Sequence, residues 1–204
     1  PANDAVFELV SRLVDEAPPG RVRVTLGNHE HILITPDAFR FSGWYSTQVG
    51  TRHRERFIQW IQSGHVVAAY RGHNVTYAHA GHPKPYDAEA VNEALAEAAD
   101  ELAETLGTDN DAATQRRLKK TYETVLGTGD EHMKGPGAGL IWLGFSHLPR
   151  TAPPQVVGHT RHETPVQKGD VYCQNVLQDN HGSASGAAVF AETPDAHASL
   201  TRTP

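Results

Sequence analysis

Three short apolar segments of this chain each end in a small residue followed by a residue that can bind a metal ion. They are Leu26-Gly27-Asn28-His29-Glu30, Ala78-His79-Ala80-Gly81 and Val157-Gly158-His159-Thr160. The first follows residues 21–26, where apolar and polar side chains alternate with the two-residue period of a half-buried strand. We expect the polar residues of all three segments to lie on loops at one edge of a sheet, where open α/β sheets place their ligands.

The rest of the chain alternates between helical and strand periodicities, which is typical of an α/β fold. The helices predicted from the spacing of apolar residues are 4–16, 51–63, 87–106 and 111–126. The predicted strands are 21–26, 65–70, 75–78, 153–157, 171–173 and 187–190. No repeat or linker divides the chain, so we expect a single domain over residues 1–204, with the helices of about 87–127 forming an insertion over the sheet. The polar tail after Thr193 is expected to be frayed.

Composition excludes several classes of protein. The chain is 38% hydrophobic with a mean hydropathy of −0.49, and no apolar run approaches the roughly 20 residues that span a bilayer. The first residues do not resemble a signal peptide, and a single cysteine rules out an intrachain disulfide, so a cytoplasmic protein without a membrane partner is expected. The net charge of −6 does not favour nucleic acid as a partner.

The polar residues of the three segments form a plausible ligand set. Asn28 offers an amide oxygen, and His79 and His159 offer imidazoles; this combination suits Mn, Fe, Zn or Ni better than Ca. Three protein ligands leave the coordination open, as a catalytic metal requires. His29 can exchange a proton near neutral pH. Taken alone, the first segment also fits a turn with a surface histidine.

In order and spacing, the three segments resemble the calcineurin-like metallophosphoesterase superfamily, and within it the phosphoprotein phosphatase branch. That branch has Gly-Asn-His-Glu after a strand, a later His-Ala-Gly or His-Gly-Gly, and a final Gly-His-Thr. The resemblance implies a four-layer α/β/β/α sandwich in which two divalent metal ions flank a bridging water. It implies that Asn28, His79 and His159 hold the second ion, and that His29 protonates the leaving group or orients the phosphate. The implied substrate is a phosphoprotein or a small phosphoester, hydrolysed by the metal-activated water.

The chain also departs from that family. An upstream Asp-x-His and Gly-Asp-x-x-Asp-Arg-Gly, which supply the first metal's ligands, are absent, so we expect an N-terminally incomplete domain that begins just after the second motif. Such a chain should bind one ion and turn over poorly. Leu26 stands where close relatives often have a phosphate-binding arginine, which leaves the substrate-binding residues open. His162 follows His159 one residue later than the second histidine of a Gly-His-x-His motif, and we expect it to be a surface residue or to contact a metal ligand rather than to bind the metal itself.

Two other functions remain open from the sequence. The same chemistry would serve a hydrolase of dinucleoside polyphosphates or other small phosphoesters. Alternatively, the chain is a non-catalytic metal-binding domain. Its structural zinc site would then be formed by His79, His82, His159 and His162.

Overall fold

The computed structural model describes residues 2–18, 20–39, 41, 50–130, 132–177 and 188–201. The described chain is mixed α/β, as predicted. Its helices are α1 (Ala2–Glu16), α2 (Asn28–Ile34), α3 (Thr51–Gln62), α4 (Ala88–Thr105), α5 (Asp111–Thr121) and α6 (Glu123–Leu126). Its strands are β1 (Val24–Thr25), β2 (Val66–Val67), β3 (Ala69–Arg71), β4 (Thr76–Ala78), β5 (Gln155–Val157), β6 (Val166–Lys168), β7 (Val171–Cys173), β8 (Ala188–Thr193) and β9 (Ala196–Thr201).

The described strands are divided among separate sheets. Strand β1 pairs in parallel with β2, and a five-stranded mixed sheet has the order β3-β4-β5-β7-β6. Within that sheet β4, β5 and β7 are parallel neighbours, and β8 and β9 form a separate antiparallel hairpin. The prediction that all three polar segments leave one sheet edge is therefore wrong, because the first follows β1 and the other two follow β4 and β5.

The chain passes from one sheet to the other at Ala68, inside the segment that the sequence predicts as one strand. The backbone N–H groups of Ala68 and Ala69 donate to Oδ1 of Asn92, at 2.8 and 3.1 Å. The Asn92 amide nitrogen donates in turn to the carbonyl oxygen of Ala69, at 2.9 Å. A side chain of α4 thus replaces the ladder bonds that the break would leave unmade.

The core forms where the helices meet the strands. Helix α3 packs against α2, α4 and β2, and α4 also contacts β3. The largest fully buried side chains are Leu26, Ile32, Ile34, Ile58, Leu95, Leu102, Leu118, Leu126, Leu140, Ile141, Trp142 and Leu148. Helix α2, which follows β1 directly, is therefore held by the core along most of its length.

Two further predictions need correction. The expected helix 111–126 is broken at Tyr122, whose φ of −111° and ψ of 50° are not helical, so that α5 and α6 are separate. The tail after Thr193 contains β9, which pairs with β8 over six residue pairs. In β9, Ala196, Ala198 and Leu200 alternate with polar residues, which is the two-residue period of a strand. Among the described helices, none is long and apolar enough to cross a membrane.

Candidate metal centre

The first predicted ligand lies at the start of a helix rather than on a loop. Gly27 is the N-cap of α2, and Asn28 and His29 form the first turn. A Cβ atom on Gly27 would lie 2.5 Å from Oε2 of Glu30 and 3.1 Å from the His79 ring, so a larger residue here would displace the Glu30 carboxylate and press on His79. The apolar run 32–34 is compatible with a strand or with a buried helix segment. In the structure these residues are helical and buried in the core.

The two predicted histidine ligands follow neighbouring parallel strands. His79 comes directly after β4, and His159 comes two residues after the end of β5. The Gly158 N–H donates to the carbonyl oxygen of His79 at 2.8 Å, which joins the two segments directly. The side chains of His79 and His159 therefore emerge side by side, with ring centroids 5.1 Å apart.

The three side chains predicted as metal ligands are in contact with one another through His79. Nε2 of His79 lies 3.0 Å from Oδ1 of Asn28 and 3.1 Å from Nδ1 of His159. Two donor atoms on adjacent corners of an octahedral ion, each about 2.1 Å from it, are about 3.0 Å apart. Each of these two distances thus fits a pair of neighbouring ligands on one divalent ion.

The protonation of the cluster also suits a cation. Burial, reinforced by the charges of His159 and His29, lowers the pKa of His79 to about 3. Burial likewise lowers the pKa of His159 to about 4, with smaller contributions from Lys134 and His29. Both imidazoles are therefore neutral at physiological pH, which is the form that binds a metal.

His29 lies beside the cluster but remains accessible. Its side chain is exposed on the first turn of α2, next to Asn28 in the chain. Its charge contributes to the lowered pKa of His79 and of His159, which places it within electrostatic reach of both. A group at this position can exchange protons with a molecule that approaches the cluster from solvent.

The sequence reasoning missed the residue that holds the His79 segment. Gln155 is fully buried at the start of β5. Its Oε1 accepts from the His82 N–H at 2.9 Å, and its Nε2 donates to the carbonyl oxygens of His82 and Pro153 at 2.9 and 3.1 Å. Gly81, with a φ of +83°, makes room for this amide, because a Cβ there would lie 2.4 Å from Oε1. The proximity of Gly81 to a predicted strand is the only hint that the sequence offers.

The four-histidine zinc site does not form. Among the described residues, no group of three or more His, Cys, Asp or Glu side chains is placed to hold a metal ion. Nδ1 of His82 lies 2.9 Å from the carbonyl oxygen of Lys84, and the His162 ring packs edge-on against Phe145 at 5.5 Å. The Asn28–His79–His159 cluster differs from such a group because one of its three donors is an amide.

Comparison with known proteins adds no relative. No family model, no curated protein and no solved structure matches this chain.

Proposed function

We propose that this protein is a metal-dependent phosphoesterase that hydrolyses phosphomonoesters, in the manner of serine/threonine protein phosphatases. The observation that carries the proposal is the pair of contacts that Nε2 of His79 makes, with Oδ1 of Asn28 at 3.0 Å and with Nδ1 of His159 at 3.1 Å. These residues belong to the three motifs that resemble the metallophosphoesterase superfamily, in the same order along the chain. The four-layer sandwich implied by that resemblance remains a prediction beyond the mixed α/β fold.

Asn28, His79 and His159 would hold one divalent ion, which we expect to be Mn, Fe, Zn or Ni. When bound, such an ion lowers the pKa of a water molecule and stabilises charge on a transferring phosphoryl group. The resemblance implies a second ion, for which the described residues offer no cluster of His, Cys, Asp or Glu side chains. The protein's own contribution is to hold the neutral side chains of Asn28 and His159 against His79 before the ion arrives.

His29 is proposed as the general acid. Its exposed imidazole lies beside Asn28, where an N–H group can donate a proton to the leaving oxygen of a phosphoester. The Leu26 side chain is fully buried in the core and offers no charged group to a phosphate. The substrate class therefore stays open between phosphoproteins and small phosphoesters such as dinucleoside polyphosphates.

A metal-binding domain without turnover is the second candidate. The observation that favours it is the lack, in the described part of the chain, of a second metal-binding cluster. Such a domain would bind one ion through the same three side chains, so metal binding alone does not separate the two functions. The two functions are separated by measuring hydrolysis by variants of Asn28 and His29.

The test measures Mn²⁺ binding together with the slow Mn²⁺-dependent hydrolysis of p-nitrophenyl phosphate that we expect of the wild type, and compares the wild type with Asn28→Ala and His29→Asn. We expect Asn28→Ala to lose both Mn²⁺ binding and hydrolysis, and His29→Asn to keep Mn²⁺ while kcat falls by about 100-fold or more. His132→Asn is the matched control, since His132 is exposed with a φ of 58° that asparagine tolerates. Hydrolysis without metal, or hydrolysis unaffected by Asn28→Ala, would overturn the proposal, and Mn²⁺ binding without turnover would favour the second candidate.

A further inference from the structure

A short segment between β4 and β5, residues 140–142, contacts all three ligand-bearing parts of the chain. The carbonyl oxygen of Leu140 accepts from the N–H groups of Ala80 and Gly81, directly after His79, at 2.7 and 3.1 Å. The Trp142 ring lies beside the His159 ring, with centroids 6.4 Å apart and planes at 67°.

The third contact of this segment reaches the helix that carries Asn28. Nε1 of Trp142 donates to Nδ1 of His31 at 2.9 Å. His31 lies three residues after Asn28 in α2, so the two side chains occupy the same side of the helix. The indole of Trp142 therefore spans the distance between α2 and the segment that carries His159.

The Trp142–His31 pair is fixed by its surroundings. Trp142 is 2% exposed and His31 is fully buried. The Phe39 ring packs against both, at 5.5 Å from Trp142 and 5.1 Å from His31. Nζ of Lys119 lies over the Phe39 ring, 4.5 Å from its centroid. Densely packed groups of this kind cannot shift without displacing their neighbours.

The hydrogen bond also fixes the protonation of His31. An indole N–H can only donate, so Nδ1 of His31 must accept and the ring must be neutral with its proton on Nε2. Burial, with a contribution from the charge of Lys119, lowers the pKa of His31 to about 3. The bond between Trp142 and His31 therefore persists throughout the physiological pH range.

We propose that Trp142, supported by His31, is a positioning residue of the metal centre. It fixes the His159 ring relative to α2, the helix that carries Asn28. The part of this inference that concerns metal affinity rests on the proposed function. The positioning itself is a property of the metal-free fold, and it can be measured separately. The Leu140 carbonyl oxygen, in the same segment, also fixes the backbone next to His79 by accepting hydrogen bonds from it.

The test compares Trp142→Phe with Trp60→Phe. The first change keeps an aromatic ring beside His159 but removes the hydrogen bond to His31. Trp60 is the matched control because it is 3% exposed, packs against Phe7 and Phe57, and its Nε1 has no hydrogen-bond partner among the described residues. By calorimetry, we expect Trp142→Phe to raise the Kd for Mn²⁺ by about 10-fold or more and Trp60→Phe to leave it within about twofold.

A second readout needs no metal. Diethyl pyrocarbonate modifies accessible neutral imidazoles, and peptide mass spectrometry gives the rate for each histidine. In the metal-free wild type, His159 should react slowly because its Nε2 is buried and its Nδ1 faces His79. We expect Trp142→Phe to accelerate the modification of His159 several-fold, while His53, whose Nδ1 is buried near Phe7, reacts as in the wild type.

The outcomes separate the two proposals. A selective acceleration at His159 supports the positioning role, whether or not the wild type binds Mn²⁺. Failure of the wild type to bind Mn²⁺ would refute only the proposed function. The positioning role is overturned when His159 in Trp142→Phe reacts as in the wild type, or when His53 accelerates equally, since that indicates general loosening. If Trp142→Phe does not fold, His31→Leu removes the same hydrogen bond while keeping the indole, and the same criteria apply.

Discussion

A buried ion pair anchors the end of α2, and its removal should be one of the most damaging single changes outside the metal centre. Nη1 and Nη2 of Arg54 donate to Oδ2 and Oδ1 of Asp111 at 2.8 and 2.9 Å, with side chains 9% and 11% exposed. Gln115 and the Gly107 N–H also donate to this carboxylate. Nε of Arg54 lies 3.3 Å from the carbonyl oxygen of Ile34, the last residue of α2.

Asp111→Asn would leave the Arg54 guanidinium buried without a counter-charge. Breaking a buried pair in this way costs about 3–5 kcal/mol in the free energy of unfolding. The chain offers an exposed control in Arg56 and Asp15, where Nη2 of Arg56 donates to both Asp15 oxygens at 2.8 and 2.6 Å and the side chains are 40% and 51% exposed. Both arginines lie on α3, but the second pair is exposed, so Asp15→Asn should cost less than about 1 kcal/mol.

Urea unfolding followed by circular dichroism measures both effects. With an m-value of about 2 kcal/mol/M, a loss of about 3 kcal/mol lowers the midpoint by about 1.5 M, whereas Asp15→Asn should lower it by less than about 0.5 M. Similar midpoints for the two variants would refute the assignment of stability to the buried pair.

The acid limb of the stability profile gives an independent check on Asp111. Burial alone would raise the pKa of Asp111, but hydrogen bonds from Arg54, Gln115 and Gly107 outweigh it and lower the pKa to about 2. Because the folded-state pKa is depressed, this contribution is complete above about pH 5 and is lost as the pH falls from about 4 to 2. The difference in stability between the wild type and Asp111→Asn should therefore shrink over that range, and a constant difference would argue against the shift.

Two other predictions follow from buried groups near the metal centre. Gln155→Leu removes the hydrogen-bond partners of the His82 N–H and carbonyl groups. We expect it to lower the free energy of unfolding, measured in urea, by about 2–4 kcal/mol and to weaken Mn²⁺ binding. An unchanged urea midpoint would contradict the role given to this amide. The pKa of His31 is about 3 in the folded protein and about 6.5 in the unfolded chain. Its contribution to the free energy of unfolding is therefore complete above about pH 6.5 and falls by about 1.4 kcal/mol per pH unit below it. His31→Asn should make the acid dependence of the metal-free protein shallower, and an identical slope would show that His31 titrates normally in the fold.

The sequence was most informative where the signal is local. The helix spacing of residues 87–106 predicts α4, and Asp87 caps it by accepting from the Glu89 N–H at 2.9 Å. The three polar segments also identify the side chains that meet at the candidate metal centre. In each case the evidence lies within a few consecutive residues.

Features that depend on distant partners were not predictable. Strand and helix periodicity cannot tell that residues 65–70 change sheets at Ala68, because the bonds that permit the break come from Asn92 in α4. The supports supplied by Gln155 and Trp142 likewise join residues 73 and 111 positions apart. The run 140–143 reads as apolar core, and only its neighbours in three dimensions reveal its contacts with the ligand-bearing segments.

The central claim is that an amide oxygen and two imidazole nitrogens form a single cation site. A crystal structure of the protein grown with MnCl₂, with data collected at the manganese absorption edge, tests it most directly. We predict an anomalous peak bonded to Oδ1 of Asn28, Nε2 of His79 and Nδ1 of His159. A map with no peak among these three atoms, or with manganese bound only elsewhere, would contradict the account.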